Sequence, residues 1–293
     1  MLEGVPDSLA VPLNAWFAHA ARPLPWRAAE VSPWAVFVSE FMLQQTQVAR
    51  VVPRWESWMA RWPTPADLAA SPPAEAVRAW DRLGYPRRAL WLHEAASEMV
   101  VRHDGRVPAD VDELLALKGV GPYTARAVAA FAFGIRVPVV DTNTRRVIAR
   151  AKLGQGEAGP PSPARDLGEM AELLPADDAG ARVFNAAAME LGATVCTARS
   201  PRCEDCPIRD RCAWRLAGYP PYEGPRKRAQ ARFEGSDRQL RGRVMRELRA
   251  MHAPLPRDAF DGVDPDAARV DRVLDGLVAD GLAVLDGDGY RLP

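Results

Sequence analysis

The spacing of apolar side chains predicts a chain built almost entirely of helices. Apolar residues recur every three or four positions along most of its length, and Pro or Gly interrupts each run. Strand-like alternation is missing from this part of the sequence. The predicted helices cover residues 9–20, 33–52, 54–62, 64–70, 74–83, 87–103, 111–115, 123–133, 144–151 and 181–191. The fold class expected from this pattern is all-α.

The end of the chain has a different pattern. Two amphipathic helices are predicted at 237–251 and 266–280, and residues 282–292 form a predicted hairpin with a Gly/Asp turn. Helices followed by a two-stranded wing suggest a small winged-helix-like module over 236–293. Residues 251–293 hold nine aspartates and four arginines. Because a module that reads DNA is more often basic, this one is expected to contact protein or to pack on the rest of the chain.

The charge balance does not announce a nucleic acid partner. The 293 residues contain 38 lysines and arginines against 38 aspartates and glutamates, so any basic surface must be local. Apolar runs stay below the roughly 18 residues that span a bilayer. The first residues show neither the basic nor the apolar region of a signal peptide. We expect a cytoplasmic, nucleoid-associated protein with no membrane partner.

A glycine-rich turn separates two of the predicted helices. It reads Gly119-Val120-Gly121-Pro122, and Pro122 suits the first turn of the helix that follows. Bare N–H groups at a helix start favour an anion such as a phosphate. A tight helix–helix turn without a ligand is the alternative interpretation.

All four cysteines lie within seventeen residues, at Cys196, Cys203, Cys206 and Cys212. Such a cluster favours a metal centre over a disulfide framework. Short spacings allow four thiolates to converge on an iron–sulfur cubane. Four cysteines also suit zinc, although structural zinc sites favour two close pairs and only Cys203 and Cys206 form one.

Two motifs give the chain a family resemblance. Residues 117–125 read Leu-Lys-Gly-Val-Gly-Pro-Tyr-Thr-Ala, which resembles the helix-hairpin-helix signature of the base-excision DNA glycosylases related to endonuclease III. Residues 39–48, Ser-Glu-Phe-Met-Leu-Gln-Gln-Thr-Gln-Val, resemble a signature of their adenine-glycosylase branch. The cysteine spacing also resembles the [4Fe-4S] loop of these enzymes. The resemblance implies a [4Fe-4S] cofactor and, as partner, double-stranded DNA containing a mispaired adenine.

The implied fold is a two-lobed helix-hairpin-helix glycosylase that binds DNA as a monomer. The lobe carrying the cluster combines 1–27 with 139–218, and the helical bundle with the hairpin covers 28–138. A proline-rich basic linker, 219–235, leads to the module at 236–293.

The resemblance also assigns catalytic roles. Glu40 lies among apolar residues of its helix, where desolvation raises the pKa of a carboxyl, and is expected to protonate the base. Asp141 is expected to stabilise or capture the sugar cation while Asn143 orients it, although a helix N-cap is the simpler interpretation of Asp141. Tyr123 replaces the lysine of bifunctional relatives, so no Schiff base forms and strand cleavage is not expected.

Further residues are expected to touch the base or the DNA. Trp26, Arg27, Leu43 and Glu190 are assigned to the base pocket. The DNA contacts are assigned to Gln44, Gln45, Thr46, Tyr85, Arg87, Gly119, Val120, Gly121, Arg199 and Arg202. Pro86 departs from the family pattern, in which a second tyrosine follows Gly-Tyr and probes the opposite strand.

The preference for the base opposite adenine is left open. The family's MutT-like domain, which recognises 8-oxoguanine, is not recognisable in residues 236–293. Two alternatives to the adenine glycosylase remain: a same-fold glycosylase for another base such as thymine, and a non-catalytic DNA lesion-binding protein.

Overall fold

The computed structural model describes residues 6–225 and 233–293. This part is mainly helical, as predicted. Its α-helices are α1 Pro6–Ala20, α2 Pro33–Leu43, α3 Val48–Arg61, α4 Pro65–Ala69, α5 Pro73–Trp80, α6 Arg87–Arg102, α7 Val111–Leu115, α8 Pro122–Phe133, α9 Thr142–Ala151, α10 Pro163–Ala171, α11 Asp178–Thr194, α12 Ala213–Leu216, α13 Asp237–Ala250 and α14 Ala267–Ala279. Three short strands follow late in the chain: β1 Leu255–Pro256, β2 Val284–Asp286 and β3 Gly289–Arg291.

The described residues separate into two compact units. Unit 1 contains residues 6–36, 109–115 and 120–225, and unit 2 contains 37–108, 116–119 and 233–293. The predicted division at 28–138, 139–218 and 236–293 stays a prediction. Most of the predicted linker, residues 226–232, lies outside the described residues.

The core of unit 1 lies where α1, α9 and α11 meet. Apolar side chains of these helices are almost fully buried there, among them Leu9, Leu13, Val147, Phe184 and Leu191. Cys196, Cys206 and Cys212 pack against the same core. The loop that carries the cysteines is therefore anchored on the helices that carry Asp141 and Glu190.

The core of unit 2 is rich in aromatic rings. Trp58 stacks edge-on against Trp62 and Trp80, with ring centroids 4.6 and 5.9 Å apart. Phe37 and Phe41 of α2 are fully buried, and their centroids lie 5.0 Å apart. Large rings bury much apolar area for each ordered residue, so they stabilise this unit.

One predicted helix is wrong in its extent. Apolar spacing predicts a single helix over 33–52, whereas α2 ends at Leu43 and α3 begins at Val48. Between them Gln45 has a φ of 55°, which breaks the helix. The helix boundary expected near Pro53 is also absent, since α3 runs through it. Ser32 caps α2 as expected, because the backbone N–H of Ala35 donates to its hydroxyl.

The C-terminal module has the predicted winged-helix-like content. Leu240, Val244, Leu274 and Leu277 from α13 and α14 form its buried centre. The predicted hairpin is present, with Leu285 opposite Tyr290 across β2 and β3. Strand β1 also pairs antiparallel with β3, giving the sheet order β1-β3-β2. Sequence pattern missed β1 because two residues, one of them proline, show no alternation.

Within the described ranges, no helix combines the length and apolar character needed to cross a membrane.

Candidate functional site

Glu40 is buried on helix α2. Only 5% of it is exposed, and Phe37 and Phe41 on the same helix are fully buried. Unit 2 carries this carboxyl, whereas unit 1 carries Asp141. Burial among apolar side chains disfavours the ionised form of a carboxyl group unless it is paired.

Asp141 is both a helix cap and the partner of Asn143. Its Oδ1 accepts a hydrogen bond from the backbone N–H of Thr144 at 2.7 Å, which caps α9. Its Oδ2 accepts one from Nδ2 of Asn143 at 2.8 Å. The two interpretations that the sequence offered for Asp141 are therefore compatible, because the cap uses one oxygen and the orienting amide uses the other.

Arg146 holds Asn143 and the cysteine loop together. Its Nη2 donates to Oδ1 of Asn143 at 2.9 Å, and its Nε donates to the carbonyl of Cys196 at 2.7 Å. Burial lowers the pKa of the Arg146 guanidinium from its usual value. Gly192 lets α11 approach closely, since a Cβ there would lie 2.7 Å from the Cβ of Asn143.

Tyr123 lies in the first turn of α8. Its half-buried ring packs, together with Met189, against a small cluster formed by Ala127, Ala130 and Val139. The ring is therefore fixed to the start of the helix that follows the glycine-rich turn.

The predicted base-pocket residues converge on Glu190. Its carboxylate is fully buried and binds two arginines, Arg22 through Nε at 2.5 Å and Arg27 through Nη2 at 2.9 Å. Burial alone raises the pKa of Glu190, but the hydrogen bonds and charges of Arg22 and Arg27 outweigh it, and the pKa lies below its ordinary value. Trp26, between them in sequence, is 8% exposed in a short 3₁₀ turn.

The predicted DNA-probing residues after α2 form a compact turn. Leu43 and Gln44 are half-buried, whereas Gln45 is exposed. Thr46 is buried, and its hydroxyl donates to the carbonyls of Gln44 and Leu83, each at 3.2 Å. The Thr46 side chain is thus part of the turn itself.

Arg88 ties this turn to the loop before α6. It donates to the carbonyls of Gln44 at 2.6 Å and Gly84 at 3.0 Å, and to the hydroxyl of Thr46 at 3.2 Å. Only 4% of it is exposed, and burial lowers the pKa of its guanidinium to about 10. The expectation that Arg88 faces solvent or phosphates is wrong, because the loop carbonyls surround it.

Tyr85 and Arg87 differ in their surroundings. Tyr85 is 53% exposed and has a φ of 48°. Arg87 donates to the carboxylate of Asp280 at 2.6 Å. Asp280 belongs to the C-terminal module, so the module engages a side chain that the sequence assigns to DNA.

The glycine-rich turn has one position that requires glycine. Gly119 has a φ of 75°, and a Cβ there would lie 2.7 Å from the Cβ of Trp91. Gly121 is the extended N-cap of α8, with Pro122 in the first turn as expected. Val120 between them is buried.

The four cysteines border one open recess of about 320 Å³, together with Arg150, Arg209 and Trp214. Arg150 Nη1 lies 3.4 Å from the sulfur of Cys196. Burial raises the pKa of the Cys206 thiol to about 12 and also raises that of Cys212. In the described part of the chain, no three metal-ligating side chains are arranged around a single ion. Thiols around a shared space suit a multinuclear cluster better than one zinc ion.

Two arginines of the cysteine loop were assigned to DNA. Arg199 is exposed, and Arg202 is exposed while donating to the carbonyl of Thr194 at 2.9 Å. Sequence reasoning missed Arg22, Arg146 and Arg150, whose partners lie far away along the chain. An arginine within an otherwise apolar helical face, such as Arg150 after Val147 and Ile148, was the available signal.

Comparisons with known proteins agree with this architecture. The model of the HhH-GPD superfamily of base excision DNA repair proteins matches residues 38–172, and that of the iron-sulfur binding domain of endonuclease III matches residues 196–212. An adenine DNA glycosylase of Mycobacterium tuberculosis is 53% identical over 283 residues, covering 96% of this chain and 92% of the relative. A thymine/uracil-DNA glycosylase of Pyrobaculum aerophilum is 37% identical over 196 residues, covering 66% and 85%.

Solved structures agree as well. The structure of a thermostable thymine-DNA glycosylase superposes with a TM-score of 0.64 at 28% identity and covers 71% of this chain and 95% of that one. Fold and motifs together define a DNA glycosylase of the HhH-GPD superfamily. Within it, the chain belongs to the adenine DNA glycosylase family.

The predicted [4Fe-4S] cofactor and the predicted helical glycosylase fold are confirmed. The matched segment begins at Cys196 and ends at Cys212, the first and last cysteines around the recess. The individual assignments of catalytic, base-pocket, DNA-binding and metal-binding residues stay predictions.

Proposed function

We propose that the protein is a monofunctional glycosylase that hydrolyses the N-glycosidic bond of adenine mispaired with guanine or 8-oxoguanine. It acts as a monomer on double-stranded DNA at the nucleoid. The observation that carries the proposal is the contrast between two carboxyl groups. Glu40 is 5% exposed on an apolar helix face, whereas both oxygens of half-buried Asp141 accept hydrogen bonds at a helix N-terminus. Carboxyls in contrasting environments take contrasting roles in glycosidic cleavage.

Glu40 acts as the acid in this mechanism. Proton transfer from Glu40 to the adenine ring makes the base a better leaving group. The C1′–N9 bond then breaks, its electrons go to the base, and positive charge develops on the sugar. Burial supports this role, because it favours the protonated form of the side chain before the reaction.

Asp141 acts on the sugar cation. An ionised carboxylate accepts hydrogen bonds with both oxygens, which matches the contacts from Asn143 and Thr144. Asp141 stabilises the cation through its negative charge or captures it covalently, and water completes the hydrolysis. Tyr123 has no amine with which to form a Schiff base, so the product is an abasic site in an intact strand.

Glu190 and its arginines form the candidate adenine contact. A carboxylate has about four acceptor positions, so Glu190 has acceptor capacity beyond its bonds to Arg22 and Arg27. Because the carboxylate is fully buried, a flipped adenine reaches it only after one guanidinium moves aside. Arginine forks also supply donors for the ring nitrogens of a base.

DNA backbone contact is assigned to the turn at Gly119, Val120 and Gly121. Free N–H groups at the start of α8 and the positive end of its dipole suit a phosphate. DNA affinity is therefore expected to fall steeply with salt.

The test is single-turnover incubation with duplexes that hold adenine opposite 8-oxoguanine, guanine or thymine, followed by alkali to break abasic sites. Cleavage is expected opposite the first two and not opposite thymine. The similarity to a thymine/uracil-DNA glycosylase makes another excised base the second candidate. Thymine release from a guanine·thymine duplex, with no adenine release from any duplex, would establish that candidate instead.

A further inference from the structure

We propose that the C-terminal module, residues 236–293, positions the loop that carries Tyr85 through the ion pair between Asp280 and Arg87. Through this contact the module sets how strictly the enzyme selects the base opposite adenine. The inference rests on the proposed function, since it concerns the choice among adenine mispairs. Asp280 is a positioning residue in this account, because it acts through Arg87 and the loop.

The loop between α5 and α6 has an unusual backbone. Asp81 and Tyr85 have φ values of 44° and 48°, a region that side chains other than glycine rarely adopt. Gly84 has a φ of 85°. Residues in such conformations persist only where the surrounding structure holds them. The exposed Tyr85 ring is therefore presented by a loop that needs support from outside.

The module contacts the loop's C-terminal end through Asp280. Arg87, the first residue of α6, donates from Nη2 to Oδ1 of Asp280 at 2.6 Å and from Nε to the Asp280 carbonyl at 3.2 Å. The other carboxylate oxygen accepts from Nη2 of Arg241, on α13 of the module. One aspartate thus joins both module helices to the residue two positions after Tyr85.

The module also contacts the loop's N-terminal end. Arg78, in the last turn of α5, donates from Nη2 to the carbonyl of Met251 at 2.7 Å. Arg249 of α13 is desolvated, which lowers the pKa of its guanidinium, and the charge of Asp81 acts in the opposite direction. The segment from 81 to 86 is therefore bracketed by module contacts on both sides.

Arg88 carries the support further. It follows Arg87 on α6 and holds the carbonyl of Gly84 together with that of Gln44. A shift of the α6 start therefore moves the Tyr85 loop and the turn at Gln44 and Gln45 together. Both segments are candidates for DNA contact, whereas the module itself is acidic and suits a supporting role better than DNA contact.

An exposed tyrosine ring can stack on a base or enter between base pairs. Such contacts depend on the shape and stacking of the base that is met. Phosphate contacts carry no such information, so the position of Tyr85 changes discrimination between duplexes while phosphate contacts change all duplexes alike.

The experiment compares single-turnover adenine release from duplexes with adenine opposite 8-oxoguanine and opposite guanine. It uses the full chain and the variants Asp280→Ala, Arg87→Ala and the double variant. We expect Asp280→Ala to change the ratio of the two rates by about fivefold, the upper range for a partly exposed ion pair. Because the two residues act through one contact, the double variant should change the ratio no further than either single variant.

The matched control is Asp286→Ala, which removes an ion pair of similar exposure to Arg291 inside the module. It should leave the ratio unchanged. If the wild type releases adenine and Asp280→Ala leaves the ratio unchanged or slows both duplexes equally, the inference is overturned while the proposed function stands. If the wild type releases no adenine from either duplex, both fail.

Discussion

Asn143 donates a hydrogen bond from Nδ2 to Oδ2 of Asp141 at 2.8 Å, and its own Oδ1 is held by Arg146. The amide therefore has a fixed orientation, which leaves its donor facing the carboxylate. Since Arg146 also binds the carbonyl of Cys196, the position of Asp141 depends on the loop that carries the cysteines.

Replacing Asn143 with alanine is expected to slow single-turnover adenine release by about tenfold or more, the worth of one hydrogen bond to a charged group. The reason is that Asp141 keeps its cap on α9 but loses the donor that orients its second oxygen. Thr142→Ala, at the exposed neighbouring position, is the control and should keep the wild-type rate. An unchanged rate for Asn143→Ala would remove the orienting role.

Replacing Glu190 with glutamine is expected to destabilise unit 1 by about 3 kcal/mol, because two guanidinium groups lose a buried counter-charge. The control is Glu172→Gln, whose side chain is 68% exposed beside Lys152 and should contribute less than about 1 kcal/mol. Thermal denaturation at pH 7 measures both. Equal effects of the two variants would contradict the account of Glu190.

The same carboxylate gives the stability a pH dependence. Because the pKa of Glu190 is lower in the folded protein than its ordinary 4.5, its contribution is present above pH about 4.5 and is lost as pH falls through the folded pKa. Melting temperatures at pH 7 and at pH 4 should therefore converge between wild type and Glu190→Gln. A constant difference at both values would show that the pair does not titrate this way.

Gly119→Ala is expected to cost about 3 kcal/mol, from a left-handed backbone and from the overlap with Trp91. Gly105→Ala separates the two causes, since Gly105 has a φ of 70° but nothing within 4 Å of an added Cβ. It should cost only about 1 kcal/mol. Urea unfolding measures both variants, and equal costs would mean that the approach to Trp91 is not restrictive.

Cys203→Ser is expected to lower the iron content of the purified protein from about four atoms per chain, because one thiolate ligand of the cluster is lost. The visible absorbance of the protein should fall with the iron. Ser200→Ala, an exposed position of the same loop, is the control. If zinc rather than iron copurifies with the wild type, the cluster assignment is wrong.

Local sequence was sufficient for features that depend on neighbouring residues. Most helices, the Ser32 cap, Pro122 in the first turn of α8 and the hairpin of β2 and β3 follow from spacing and turn residues. The family resemblance led to the fold and the cofactor. The turn at Gln44 to Gln47 was missed because its residues fit the helical pattern on either side, while Thr46 and Arg88 stabilise the break through tertiary hydrogen bonds.

The buried arginines could not be predicted in the same way. Arg22 and Glu190 are 168 positions apart, and Arg146 and Cys196 are 50 apart. Such pairs depend on how the helices pack, and a local pattern carries no information about them. The brace between Arg87 and Asp280, 193 positions apart, is hidden from sequence for the same reason.

The most direct test of the central claim is a time course that measures free adenine and strand breaks in the same reaction, without and with alkali. The substrate is a duplex with adenine opposite 8-oxoguanine, and wild type is compared with Glu40→Gln. The account predicts that wild type releases adenine in step with alkali-labile sites, leaves strands intact without alkali, and loses this activity in Glu40→Gln. Equal adenine release by Glu40→Gln, or strand breaks that appear without alkali at the rate of base release, would contradict it.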